Sequence, residues 1–134
     1  MKIRIYGNPA PQGSKTAIVR NGRAIMFESS KKLPEWRETV LMGATIARAE
    51  QGGLTILGPV TVMMTFHMPR PKSTSRKYPN SAPDLDKLIR AVGDALQESE
   101  VLANDGQIVT LVAHKVYAEK ETYSGVEIEI TEKP

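Results

Sequence analysis

The sequence predicts an α/β (α+β) fold in which two principal helices pack on a mixed β-sheet. Three observations support this class. Residues near both ends alternate between apolar and polar, two longer segments have helical apolar spacing, and clusters of turn residues separate these segments. The predicted order is strand, hairpin, helix, strand, long loop, helix and two strands. We expect one domain that spans residues 1–134.

The N-terminal part is predicted as a strand, a loop and a hairpin. Residues 2–6 alternate as a strand. Two prolines and two glycines within residues 7–15 predict an irregular loop. Asn21-Gly22 is the strongest short-range hairpin signal, and it joins predicted strands at 16–20 and 24–28.

The first helix is predicted over about residues 31–51. Ser29-Ser30 offers its N-cap, and Gly52-Gly53 ends it. Trp36 falls at helical spacing with other apolar residues, so we expect it in the core rather than as a stacking platform.

The second helix is the segment around which the chain is organised. Pro83 cannot continue a helix from upstream, so Asp84 is predicted as the N-cap. Asp86, Arg90 and Asp94 form a polar stripe beside the buried face. That face consists of apolar residues at helical spacing, namely Leu85, Leu88, Ile89, Val92 and Leu96.

Predicted strands flank the second helix. A strand at 59–66 precedes it, and a strand at 107–117 follows it and is expected to pair with a last strand at 124–131. Residues 67–83 contain four prolines, four Lys or Arg residues and no acid. A structureless connection of this length is uncommon inside a compact domain and tends to be functional.

Composition excludes several classes of protein. No run approaches the roughly 18 apolar residues of a membrane span, and no apolar N-terminal segment indicates export, so we expect no membrane partner. The chain has no cysteine, which excludes disulfides and thiolate metal sites and suits a cytoplasmic protein. No phosphate-binding glycine pattern appears, so we expect no nucleotide cofactor.

Three carboxylates suggest a metal site. Asp84 and Asp86 bracket one residue at a helix start, and Asp105 follows in a predicted turn. If the strand after the helix returns beside the helix N-terminus, these carboxylates converge and repel one another unless a cation lies between them. Oxygen ligands alone select Mg²⁺ or Mn²⁺, and such an ion could assist phosphodiester hydrolysis.

The same residues also have an ordinary structural explanation. Acidic residues at the N-cap and in the first turn stabilise any helix, and Asp105-Gly106 is a common turn. Arg90 is spaced i,i+4 from both Asp86 and Asp94, and such surface pairs contribute only about 0.2–0.5 kcal/mol each. Spacing alone leaves both explanations open.

Two motifs resemble a known family. Its pattern is Asp-x-Asp-Asn, a Lys four residues after the second Asp, then Asp-Ala-Leu, and later Asp-Asp-x-Gln-Ile. Here the corresponding residues are Asp84-Leu85-Asp86-Lys87, Arg90, Asp94-Ala95-Leu96 and Asn104-Asp105-Gly106-Gln107-Ile108. This resembles the RusA family of Holliday junction resolvases, and the loop over residues 7–15 is similar to the family's N-terminal loop. The resemblance covers nearly the whole chain.

The resemblance implies a RusA-like fold and a Mg²⁺-dependent endodeoxyribonuclease, with Mn²⁺ as a possible substitute. Such an enzyme works as a homodimer and resolves four-way junction DNA by paired symmetric cleavage in recombination and repair. The family's catalytic and metal-binding carboxylates map onto Asp84, Asp86 and Asp105, and its functional lysine maps onto Arg90. The resemblance also implies a cytoplasmic protein of bacterial or phage origin.

Base-independent DNA binding is expected from cations that neutralise phosphates. Most lie in the predicted long loop, and the set is Lys15, Arg70, Lys72, Arg76, Lys77 and Lys87. Tyr78 could stack at an opened junction centre or simply pack against the protein.

The sequence departs from the family pattern at three positions, two of which, Lys87 and Arg90, keep an alternative open. Lys87 stands where the family has Asn, Arg90 replaces its Lys and cannot act as a general base, and Asn104 replaces the first Asp of the second pair. The alternative is a catalytically weakened junction- or nucleic-acid-binding protein in which the Lys87 ammonium lowers Mg²⁺ affinity. A third hypothesis is a small binding module whose acidic helix start is only a cap.

Two surfaces are candidates for the dimer interface. One is the predicted helix at 31–51 with its small residues Gly43, Ala44 and Ala47, and the other is the hairpin at Asn21-Gly22.

Overall fold

The computed structural model describes residues 1–13, 15–28 and 31–134, and for 15–20 and 24–28 it describes the backbone only. Two short 3₁₀ turns, Asp105–Gln107 and Glu121–Tyr123, accompany the regular elements. The helices and strands in chain order are β1 (Lys2–Tyr6), β2 (Lys15–Arg20), β3 (Arg23–Glu28), α1 (Leu33–Glu50), β4 (Val60–Met68), α2 (Leu85–Glu98), β5 (Ile108–Tyr117) and β6 (Gly125–Glu132). The predicted α+β class with a mixed sheet and two principal helices is confirmed.

The main sheet has the strand order β1-β6-β4-β5, and β2 and β3 form a separate hairpin. The predicted pairing of β5 with the last strand is wrong. β5 pairs with β4 in parallel, whereas β6 lies antiparallel between β1 and β4. The reason is that α2 forms a crossover connection from β4 to β5, and this kind of connection makes two neighbouring strands parallel.

Helix α1 begins at Leu33, with Lys32 at the N-cap position and Pro34 in its first turn. Proline is favoured there because its missing N–H would have no helical partner. The predicted N-cap residues, Ser29 and Ser30, lie outside the described residues. Trp36 is 2% exposed, so its predicted place in the core is confirmed.

The small residues Gly43 and Ala44 of α1 pack against the interior of the protein. Ala44 is fully buried in the core. A Cβ on Gly43 would come within 2.8 Å of the Ile5 side chain, so glycine allows α1 to approach β1 closely. This part of α1 therefore faces the sheet.

Strands β1, β4 and β5 run in the same direction, so their carboxyl ends meet at one edge of the sheet. We call this the Asp84 edge, since α2 begins there. The opposite edge, which holds the amino ends of β4 and β5 and the 3₁₀ turn at Asp105, is the Asp105 edge. Neither helix is long and apolar enough to cross a membrane, a finding that covers the described residues.

Candidate functional site

Asp84 occupies the N-cap position of α2, as predicted. Its carboxylate makes no capping hydrogen bond within the described structure and is 61% exposed. Lys87 Nζ lies 3.4 Å from Asp84 Oδ2. Asp86 is exposed in the first turn of the same helix. Two accessible carboxylates therefore stand at the start of α2, at the edge where ligands usually bind in sheets with parallel strands.

Asp105 lies at the other end of α2. Its backbone N–H donates to Gln97 Oε1 at 2.9 Å, close to the C-terminus of the helix. Thirteen residues separate Gln97 from Asp84 along α2, which corresponds to about 20 Å. The condition for convergence within one chain, that the strand after α2 returns beside the helix N-terminus, is therefore not met. A crossover helix runs antiparallel to its two strands, so β5 begins where α2 ends.

A local hydrogen-bond network fixes Asp105 at this position. The Asn104 side chain accepts from the Gly106 N–H at 2.7 Å, and the Asn104 N–H donates to Gln107 Oε1 at 2.8 Å. Gln107 Nε2 donates to the carbonyls of Ile56 and Gly58, each at 2.8 Å. Asn104, one of the three residues that depart from the family pattern, is thus the N-cap of the turn that carries Asp105.

The donors available for a cation in one chain are limited. Within the described residues, no group of three or more His, Cys, Asp or Glu side chains could hold a metal ion. One chain supplies Asp84 and Asp86 at one edge and Asp105 at the other. This donor set suits a hard divalent cation in its chemistry, but one chain does not bring its members together.

Lys115 is a site residue that the sequence-based prediction missed. Its Nζ donates to the carbonyl oxygens of Ser81 and Pro83, at 2.7 Å and 2.8 Å. Pro83 directly precedes Asp84, so this ammonium fastens the turn that leads to the two carboxylates to strand β5. The available signal was a cation at an inward-facing position of a strand, since Lys115 is opposite buried Phe66 of β4.

The N-terminal loop contacts the polar stripe of α2 at Arg90 and Asp94. The Gln12 N–H donates to the Lys87 carbonyl at 3.0 Å, and Gln12 Nε2 donates to Asp94 Oδ2. Arg90 lies against Gly13, where a Cβ would overlap its Nη1 atom. In the described part of the chain, the predicted pairs of Arg90 with Asp86 and Asp94 are not formed. Asp94 instead holds the N-terminal loop.

The predicted DNA-binding cations occupy different surroundings. Arg70 stacks over the Tyr117 ring at 4.9 Å, and Lys77 lies 5.5 Å from the ring of Tyr78, which is 59% exposed. Lys72 and Arg76 are exposed in the connection between β4 and α2.

Two of these cations differ from the rest. Lys87 pairs with Asp84 on α2, and it is the member of the set closest to the carboxylates. Lys15 begins β2, but its side chain lies outside the described residues.

Comparison with known proteins identifies relatives of the chain. The family model for endodeoxyribonuclease RusA matches residues 7–131. The chain is also 30% identical to the uncharacterized protein YqaN of Bacillus subtilis (strain 168), over 90% of this chain and 89% of that protein. At the family level, the first match implies an endodeoxyribonuclease that resolves Holliday junctions.

Proposed function

Because the chain belongs to the endodeoxyribonuclease RusA family, we propose that it is a metal-dependent nuclease that resolves four-way DNA junctions by paired symmetric cleavage in recombination and repair. One observation carries this proposal. Asp84 and Asp86 are accessible at the N-terminus of α2, where the helix dipole favours an anion. The exposed cationic connection between β4 and α2 ends at the same point, so it would bring DNA phosphates to these carboxylates.

The proposed active form is a homodimer joined along β5. This strand is ten residues long and pairs with β4 on one side, which leaves it at the edge of the sheet. Leu111 lies beside buried Val62 on the core side of the sheet, yet it is 39% exposed. Val109 and Val112 are 59% and 38% exposed. A long apolar edge strand is a ready template for pairing with a second strand.

An antiparallel pairing of β5 with its copy would continue the sheet across a two-fold axis. Because the axis reverses direction, the Asp105 edge of one chain then lies next to the Asp84 edge of the other. If the two-fold axis passes near Leu111, Asp105 of the partner subunit lies level with Tyr117 of the first chain. The turn before Asp84 is held beside this part of β5, by Lys115. The dimer would thus unite the carboxylates that a single chain keeps apart.

In this arrangement Asp84, Asp86 and Asp105 of the partner subunit would hold Mg²⁺, with Mn²⁺ as a substitute. The bound ion would supply Lewis-acid activation of water and stabilise the leaving oxygen. Arg90 stays cationic at any working pH and would bind the phosphate rather than transfer a proton. The two sites of the dimer match the two strands that resolution must cut.

The alternative is a weakened nuclease that binds junctions without efficient cleavage. The contact between Lys87 Nζ and Asp84 Oδ2 favours it, because an ammonium beside this carboxylate competes with a cation for the same oxygen. A Lys87→Asn variant distinguishes the two hypotheses. It should cleave much faster than the native protein if the lysine inhibits, and at a similar rate if it does not.

The direct test is cleavage of a synthetic four-way junction beside linear duplex of the same sequence, with Mg²⁺ or with EDTA. Paired nicks confined to the junction, lost with EDTA and in Asp86→Asn, are the expected result. Asp86→Asn should still bind the junction because the phosphate-binding cations remain. Full cleavage by Asp86→Asn would refute the assignment of Asp86 to the active site. If the native protein neither bound nor cleaved the junction, the proposed nuclease function would be refuted.

Subunit mixing tests the shared site. Asp86→Asn and Asp105→Asn are inactive alone, but a mixed dimer has one site with both substitutions and one intact site. Co-expression of the two chains should therefore restore nicking, at about a quarter of the native number of sites if the chains pair at random. A mixture as inactive as either parent would show that each site is built from one chain.

A further inference from the structure

A groove of about 620 Å³ lies beside Asp84. The N-terminal loop forms one wall, and the end of β4 and the turn before α2 form the other. Its position next to the proposed scissile phosphate makes it part of the path that a DNA strand would follow.

The walls of the groove are largely apolar. Four prolines line it, namely Pro9, Pro11, Pro69 and Pro83, together with Met68. Pro9 and Met68 are themselves buried, so the accessible ring surface is that of the half-buried Pro11, Pro69 and Pro83. Proline has no N–H, so these walls offer ring surfaces rather than hydrogen-bond donors.

Four polar side chains complete the lining, and they differ in charge. Lys32 and Lys87 are ammonium groups, and Asp84 is the carboxylate described above. Among the described residues that line the groove, Asn8 is the single neutral amide, and it is exposed. Lysines bind phosphate as point charges, whereas an Asn amide can pair with the edge of a base.

We propose that this groove holds the nucleotide next to the scissile phosphate and that Asn8 sets the base preference at that position. The inference rests on the proposed nuclease function and adds the determinant of the cleavage sequence. A nucleotide matches the lining in each part: its sugar and base faces pack on proline rings, its phosphate meets Lys32 and Lys87, and its base edge reaches Asn8.

The test uses four-way junctions with randomised sequence at the branch point, cleaved in Mg²⁺ and sequenced at the cut ends. The native protein should prefer particular bases beside the cut. In Asn8→Ala the ratio of preferred to average cleavage should fall about fivefold or more. Asn8→Gln should keep the same preferred base because it keeps the amide. Gln51→Ala is the control, since it removes an exposed amide at the far end of α1.

An unchanged preference in Asn8→Ala would overturn the inference while leaving the nuclease function intact, and so would equal cleavage of all sequences by the native protein. A measurement without catalysis provides a second check. Metal-free protein irradiated with a junction that carries 4-thiothymidine beside the branch point should crosslink to the lining of the groove, within residues 8–11, 68–69 or 82–87 or at Lys32. Crosslinks confined to other segments would overturn the groove assignment, whatever the cleavage result.

Discussion

The two ends of α2 hold their carboxylates in different ways. At the Asp105 edge, Asn104 and Gln107 cap each other within the turn, and Gln107 also donates to the Ile56 and Gly58 carbonyls. At the Asp84 edge, the support comes from distant parts of the chain. Lys115 holds the preceding turn, and Gln12 reaches α2 from the N-terminal loop.

This difference has a functional consequence. Asp105 should tolerate changes in the N-terminal loop, because its turn is held by Gln97, by its own cap and by the Ile56 and Gly58 carbonyls. Asp84 depends on strand β5 and on the N-terminal loop, so changes far from it in sequence should alter the site. In the proposed dimer, β5 also forms the interface between subunits. Dimer formation would therefore affect the position of Asp84, because β5 carries Lys115.

The largest effect is expected from preventing dimer formation, because this separates the Asp84 edge of one chain from the Asp105 edge of the other. Leu111→Lys places a charge on the apolar edge of β5, which should prevent antiparallel pairing with a second copy. Sedimentation or light scattering should report a monomer, and junction cleavage should fall by about 100-fold or more because the third carboxylate is missing. Leu54→Lys is the control, since Leu54 is 80% exposed outside β5. A Leu111→Lys protein that is monomeric and fully active would refute the shared site.

A smaller effect is expected from loosening the Asp84 edge alone. Lys115→Met keeps the aliphatic stem but removes the ammonium that bonds to the Ser81 and Pro83 carbonyls. The Mg²⁺ concentration for half-maximal cleavage should rise about tenfold, because charged hydrogen bonds of this kind contribute about 1.5–3 kcal/mol each when intact. Junction affinity in EDTA should stay unchanged. The matched control is Lys133→Met, at the Asp105 edge.

A loss of stability in Lys115→Met without a change in metal requirement would reduce Lys115 to a general structural role. Lys115→Arg separates these outcomes further. It keeps a donor for the carbonyls, so it should recover part of the metal affinity if the hydrogen bonds position Asp84.

Features that depend on neighbouring residues could be predicted from the sequence, whereas features that depend on contacts between distant residues could not. Local patterns identified β1, the hairpin, α1 and α2 with their buried faces, and the Asp105 turn. The pairing of β5 was missed, although a helix between two strands is the usual sign of a parallel crossover. The separation of Asp105 from Asp84 follows from that topology. The contacts of Lys115 and Gln12 join positions far apart in sequence, so no local pattern could have named their partners, although the inward-facing position of Lys115 marked that residue.

The N-terminal loop offers a second way to disturb the Asp84 edge. Gly13 has φ +97°, and a Cβ there would overlap Arg90 Nη1, so Gly13→Ala should move the Arg90 guanidinium. We expect several-fold slower cleavage with little change in junction affinity, and a loss of stability of about 1 kcal/mol or more from the backbone strain. Gly22→Ala is matched, because Gly22 has φ +73° but open space around it. Equal loss of activity in both variants would remove Arg90 placement as the cause.

The smallest effect is expected on junction affinity when single surface cations are removed, and it shows which edge of the sheet contacts the DNA. Arg76 is exposed in the connection that leads to Asp84, whereas Lys133 lies at the Asp105 edge away from β5. Arg76→Ala should weaken junction binding a few-fold and reduce the slope of log affinity against log salt by about one, since one phosphate contact is lost. Lys133→Ala should leave the slope unchanged. Each cation of the connection between β4 and α2 should contribute a similar amount to the salt dependence of junction affinity. Equal slopes for Arg76→Ala and Lys133→Ala would therefore mean that this connection does not contact the DNA. The proposed DNA path past Asp84 would then be wrong.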